Sequence, residues 1–199
     1  MKTRFLLLIT GIMMMLFAQC NRLSEQNKTT LSSPDGKTEI RLAFSSDQQP
    51  GYMVSHDGET ILDTSLLGFE LKNGPAIKSG WEIIDSDKKT VNETWTMPWG
   101  EKREVVNHYN QLRVELKEKS SPGRRMDLIF RAYNSGIGFR YVFPEQEGMK
   151  QALIMEEKTQ FNLTGDHRCW WIPGDWHIYE HLYNTTPFTG IDATSKRNN

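Results

Sequence analysis

Met126-Asp-Leu-Ile-Phe-Arg-Ala-Tyr-Asn-Ser-Gly-Ile-Gly-Phe-Arg-Tyr-Val-Phe143 is the stretch on which the fold turns. Met126, Leu128 and Phe130 recur at every second position, and beyond Asn134-Ser-Gly136 so do Ile137, Phe139, Tyr141 and Phe143. Asp127, Arg131, Gly138 and Arg140 stand between them. A period of two sends alternate side chains to opposite faces of a sheet, so each run has one apolar face and one polar face. The same alternation appears upstream in Ile40, Leu42 and Phe44 and in Leu112, Val114 and Leu116. Turn chemistry separates the runs: Ser33-Pro-Asp-Gly36, Asn73-Gly-Pro75, Ser121-Pro-Gly123 and Asn134-Ser-Gly136. Asp57-Gly58, between Tyr52-Met-Val54 and Thr60-Ile-Leu62, predicts a hairpin closed by two residues. Past the N-terminal apolar run no sustained helical stripe with caps occurs. Many short antiparallel strands of this kind predict an all-β sandwich of two sheets.

The N-terminus has a separate logic. Lys2 and Arg4 precede an apolar run from Phe5 to Phe17, interrupted only by Thr10 and Gly11. That run is shorter than the ~20 residues a spanning helix needs, and its charge pattern is that of an export signal. Leu16-Phe17-Ala18-Gln19-Cys20 follows, with Cys20 placed as the acylated residue of a bacterial lipoprotein. The expected organisation is a signal at residues 1–19, a tether at 20–30, the sandwich at 31–188 and a linker at 189–199. Export to the periplasm or outer membrane, held by lipid on Cys20, follows from that reading. Without Lys2 and Arg4 the basic residues fall to 22 against 25 acidic ones, which disfavours nucleic acid as a partner. With Cys20 acylated, Cys169 is left alone and no internal disulfide is expected.

Chemistry concentrates in His167-Arg-Cys-Trp-Trp-Ile-Pro-Gly-Asp-Trp-His-Ile-Tyr-Glu-His-Leu-Tyr183. Trp170, Trp171 and Trp176 are three of the chain's 6 Trp, and Tyr179, Tyr183 and one carboxylate, Glu180, lie beside them. Flat rings among a few polar groups suit a pyranose, which shows C–H groups on its face and hydroxyls at its rim. An aromatic-rich edge of a core has the same composition. Trp170 and Trp171 are neighbours on a strand and point to opposite sides, so one of them is expected in the core. Trp95 and Trp99 are expected to pack within their loop, and Arg131 and Arg140 to pair with acidic neighbours. His177-Ile-Tyr-Glu-His181 also matches the H-x-x-E-H string of zinc peptidases, which needs a helix to bring both His onto one face. Pro173-Gly174 and the β pattern argue against that helix.

Four phrases in order resemble the N-terminal domain of glycoside hydrolase family 97, exported α-glucosidases and α-galactosidases of Bacteroides-like bacteria. They are Ser33-Pro-Asp-Gly36; Trp95-Thr-Met-Pro-Trp-Gly-Glu101 with Val106-Asn-His-Tyr-Asn110; Leu128 to Tyr141; and Trp170-Trp-Ile-Pro173 with Tyr179-Glu180 and Tyr183. The resemblance implies a super-sandwich of the galactose-mutarotase type. It also implies that a catalytic (β/α)8 barrel follows in the full-length protein and supplies the reacting carboxylates. Glycosidic hydrolysis takes two carboxyl groups about 5–9.5 Å apart, and this chain reaches Asn199 without a second candidate near Glu180. The chain is therefore expected to be a non-catalytic portion of a glycosidase acting on α-linked glucose or galactose oligosaccharides. By the same resemblance Glu180 lends one ligand to a calcium ion shared with the barrel, and Trp176 and Tyr179 contact sugar. A stand-alone carbohydrate-binding lipoprotein is the other reading of these residues.

Overall fold

The computed structural model describes residues 28–174, 177 and 180–192. One sheet begins with β1 (Thr30–Ser32), β2 (Thr38–Phe44), β3 (Pro50–His56) and β4 (Glu59–Leu66) and ends in β11 (Asn162–Leu163), in that spatial order. The other runs β6 (Trp81–Thr96), β7 (Glu104–Glu118), β8 (Arg125–Tyr133) and β9 (Gly136–Val142). Two short ladders complete the set: β5 (Phe69–Leu71) with β10 (Ile154–Glu157), and β12 (Arg168–Trp171) with β13 (Asn184–Pro187). All these pairings are antiparallel. The all-β antiparallel sandwich expected from the alternation is what forms; the super-sandwich form is an expectation of the resemblance.

The alternation explains why the sheets stack. Leu112, Val114 and Leu116 on β7 stand opposite Phe130, Leu128 and Met126 on β8, and all six are buried. Ile40 and Leu42 on β2 face Val54 and Tyr52 on β3 and close the core from the other sheet. Burying each such side chain stabilises the fold by roughly 1.5–3 kcal/mol. The Asp57-Gly58 hairpin forms as predicted, joining His56 to Glu59, with φ of 49° and 83° at its two central residues. Positive φ at both positions is what a type I′ turn requires. The Ser33–Gly36 turn meets the β8–β9 turn, where the Asp35 amide donates to Asn134 Oδ1 at 3.1 Å.

One charged pair lies inside. Arg124 and Glu118, 3% and 7% exposed, form a bidentate ion pair at the β7–β8 turn. The remaining Arg124 N–H groups donate to the carbonyls of Pro75 and Ala76 at 2.7 and 3.2 Å. Arg124 thus pins the β5–β6 connection to the far end of the second sheet.

The two sheets are offset. β1 lies over β7 and β8, and β2 over β8. Tyr52 on β3 meets Phe139 on β9 at 5.1 Å, and Phe69 on β5 meets Tyr141 at 4.6 Å. Residues 154–163 run alongside β4 and β5, with the Lys158 and Gln160 amides donating to the carbonyls of Gly68 and Leu66. The first sheet therefore extends past β9, the last strand of the second.

Arg131 departs from expectation. It donates to Gln111 Oε1 at 3.1 Å and lies 4.4 Å from the centre of the Tyr109 ring, a cation–π contact where an acidic partner was expected. No helix among the described residues is long and apolar enough to cross a membrane.

Candidate functional site

The β12–β13 ladder carries the aromatic tract. Its pairs are Arg168 with Pro187, Cys169 with Thr186, Trp170 with Thr185 and Trp171 with Asn184. Between the two strands the chain loops out, and Glu180 lies on that loop, exposed. Trp171 is half-buried and its Nε1 donates to Thr186 Oγ1 at 3.0 Å. Trp170, one residue earlier, shows 66% of its surface to solvent. Neither ring enters the core, which corrects the expectation for the pair. The ladder has no second layer beneath it among the described residues, so opposite-facing rings do not mean that one is sealed. Trp176 and Tyr179, the expected sugar contacts, and Cys20, the expected lipid attachment, lie outside the described residues.

The loop has a fixed base. Asp166 accepts from the Thr189 amide and from Thr189 Oγ1, both at 2.9 Å, and the Phe188 amide donates to the His167 carbonyl at 2.8 Å. These bonds hold the 3-10 turn Phe188–Gly190 against the start of β12. The Thr189 amide and hydroxyl together hold the Asp166 carboxyl below its ordinary 3.8. Thr189, the first residue of the expected linker, thus packs onto the end of the ladder, and residues 193–199 lie outside the described part. The sequence reading gave Asp166 no role. The Gly165-Asp166 pair before a strand was its only local signal.

A metal site would need more than this loop offers. Calcium takes 6–8 oxygen ligands at 2.3–2.6 Å. Among the described residues no group of three His, Cys, Asp or Glu could hold a metal ion. Glu180 as the only carboxylate on the described part of its loop does not fit a calcium shell by itself. Of the H-x-x-E-H string, His177 stands in a bend and Glu180 and His181 in irregular chain, none of them in a helix; residues 178 and 179 lie outside the described part.

Two further surfaces stand out, one at Trp95 and Trp99, which were expected to pack within their loop, and one that the sequence did not mark. At the end of the long β6–β7 hairpin, Trp99 is 81% exposed, and Trp95 and Val106 are exposed beside it. Trp95 Nε1 donates to Met97 Sδ at 3.3 Å, a contact within the loop of the expected kind. These rings project beyond the part of β7 that β8 covers, and among the described residues no further strand lies beside them. The other surface is an open aromatic groove of ≈ 550 Å³ between β9 and the overhanging first sheet, bordered by Phe69, Phe139, Tyr141, Phe143 and Phe161. Inside its rim the Tyr52 hydroxyl donates to the Gln160 carbonyl at 3.0 Å, and burial pushes its pKa up to about 12. Burial likewise raises the Tyr141 hydroxyl, which bonds to Thr159 Oγ1.

The described residues thus form an antiparallel sandwich whose hairpin end and aromatic groove face outward. The chain belongs to the family described as Glycosyl-hydrolase 97 N-terminal, whose profile matches residues 31–198. Solved structures agree. A glycoside hydrolase family 97 enzyme from a Pseudoalteromonas species, in complex with panose, superposes with a TM-score of 0.73 at 35% identity. The likeness covers 79% of this chain and 24% of that one, and an acarbose complex of a family 97 enzyme from the same source matches equally. A retaining alpha-galactosidase of Bacteroides thetaiotaomicron is 28% identical over 144 residues, 72% of this chain and 20% of its own length. A probable retaining alpha-galactosidase of Streptomyces bingchenggensis is 24% identical over 190 residues, 94% and 29% of the two lengths. The chain thus spans between a fifth and a third of the relatives it matches.

Proposed function

We propose that this chain acts as the non-catalytic N-terminal domain of an exported α-glycosidase, buttressing a catalytic barrel and forming one wall of its sugar pocket. The observation that carries the reading is the absence of any buried side chain among the described residues after Ala132. Strands, rings and turns continue for sixty residues, yet Ile154, Met155, Phe161, Trp170, Leu182 and Tyr183 remain exposed. Monomeric proteins rarely leave so much apolar surface open unless a partner covers it. The family's solved enzymes are about four times the length of the matching portion, which leaves ample polypeptide for that role.

Within this reading each part of the ladder has a task. Asp166 and the Trp171–Thr186 bond fix the base of the loop, and the loop presents Glu180 outward toward the barrel. Glu180 would supply one carboxylate to a calcium ion completed by barrel ligands, and such an ion would polarise substrate oxygens. Trp176 and Tyr179 supply ring faces to an α-linked glucose or galactose unit. Cys20 tethers the mature protein to a membrane of the periplasmic space. The ligands and activities named for the relatives, panose, acarbose and α-galactosidase, accord with that substrate class.

The test is complementation. The purified chain should leave p-nitrophenyl α-glucoside and α-galactoside intact. Mixed with a separately expressed remainder of the Pseudoalteromonas enzyme, it should form a complex and raise that remainder's hydrolysis. Metal-dependent turnover by the chain alone would overturn the reading. The exposure of Trp170 favours one competing reading, a sugar-binding lipoprotein acting by itself. Sugar-dependent Trp fluorescence of the isolated chain, abolished by Trp170→Ala, would support it.

A further inference from the structure

The unfilled part of the sandwich has a definite shape, and its backbone says what fits. The Glu118 amide donates to the Arg124 carbonyl at 2.9 Å, and the Lys119 amide to the Gly80 carbonyl at 2.8 Å. These bonds fix which residues of β7 serve each neighbour, and the unbroken register of β7, β8 and β9 carries the alternation across. Gly136, Gly138, Arg140 and Val142 therefore spend their backbone groups on β8, while Ile137, Phe139 and Tyr141 turn theirs to the open edge. Among the described residues β9 has β8 as its one neighbour.

Side chains mark the same place. The odd residues of β9 point inward, with Phe139 against Tyr52 and Phe161, and Tyr141 against Phe69. Their rings stay half-buried because the first sheet runs on past them with no opposite layer. Phe161, on that overhang, is 62% exposed although it lies on the inner side of the sandwich. One more strand beside β9 would cap three amides and three carbonyls and close the ≈ 550 Å³ groove.

We propose that β9 is a strand-acceptor edge, filled by an extended segment with apolar residues at alternate positions, from the polypeptide that follows this domain in the full-length glycosidase. This rests on the reading that the chain is one domain of such an enzyme. Alternate side chains of the incoming segment enter the groove beside Phe69 and Phe161, and its backbone pairs with Ile137, Phe139 and Tyr141. The groove is lined mainly by apolar residues, with Arg140 and Glu157 as its two charged borders.

Hydrogen exchange on the 199-residue chain tests this. The probes are synthetic peptides of strand length, roughly 6–10 residues each, tiling the Pseudoalteromonas polypeptide just after its matching region. One peptide should slow exchange at the amides of Ile137, Phe139 and Tyr141 by about tenfold, the order a net backbone hydrogen bond gives. A version whose apolar residues are clustered instead of alternating should not. Ile137→Pro removes one outward amide and should weaken the peptide's effect without altering exchange in β7. The wild-type measurement stands alone if that variant does not fold. Protection confined to β10, β12 or β13, or no protection, overturns the proposal. Complementation without β9 protection would sink the strand acceptor alone, and β9 protection without complementation would sink the functional reading alone.

Discussion

Leu31 to Ala132 and Asn134 to Asp192 are made of the same kinds of strand, yet buried side chains occur in the first and none among the described residues of the second. The sharpest contrast is between β8 and β9, which two turn residues separate. Met126, Leu128 and Phe130 are wholly buried; Ile137, Phe139 and Tyr141, in the same alternation, pack against the core but are only partly buried. Local sequence does not distinguish them. Position does: β8 has a strand on each side and a sheet above, whereas β9 has one neighbour and an overhang. Burial is a property of the assembled layers, and here one layer stops short.

The contrast should appear first in stability. Arg124→Ala strips Glu118 of its partner inside the first region and should cost about 3–5 kcal/mol in urea unfolding. No ion pair after Ala132 is buried on both sides among the described residues, and Lys158–Glu156, 39% and 59% exposed, should be worth under about 1 kcal/mol. Leu128→Ala should cost about 2–5 kcal/mol, the range for a sealed core position. Ile137→Ala should cost less than half of what Leu128→Ala does; equal losses would mean that β9 is as enclosed as β8.

Smaller effects sharpen the picture. Leu182 is 93% exposed, and Leu182→Ser should leave the unfolding midpoint within about 0.5 kcal/mol. The same change should lower binding of a hydrophobic dye, because it removes part of the open apolar surface. The smallest effect concerns acid. Asp166 is held below its ordinary 3.8, so its contribution is complete above that value and is lost as pH falls through the depressed one. Exchange at the Thr189 amide should rise above its intrinsic acid trend at the bottom of that range, and Asp166→Ala should show the fast rate already at neutral pH.

Much of the architecture was legible because alternation and turn chemistry are local. The Asp57-Gly58 hairpin, the inward faces of β2, β7 and β8, and the all-β class follow from residues within a few positions of one another. The environment of Trp95, Trp99, Trp170 and Trp171 was not legible. An aromatic side chain tells nothing about whether another layer lies over it, and these four sit where the layers end. Asp166 escaped notice because its partner Thr189 is 23 residues away. Arg131 was expected to find an acid, but the cross-strand register set it beside Gln111 and above Tyr109. Glu180 was legible only through resemblance, and its one structural property on display is exposure.

The account's central claim is that the second region is an open surface awaiting the rest of a glycosidase. Backbone hydrogen exchange of the isolated chain, repeated with the separately expressed remainder of the Pseudoalteromonas enzyme, tests it most directly. Alone, β7 and β8 should exchange slowly and residues 144–192 fast; with the remainder present, protection should spread into 144–192 while β7 and β8 stay as they were. Slow exchange throughout the isolated chain, unchanged by the remainder, would contradict it.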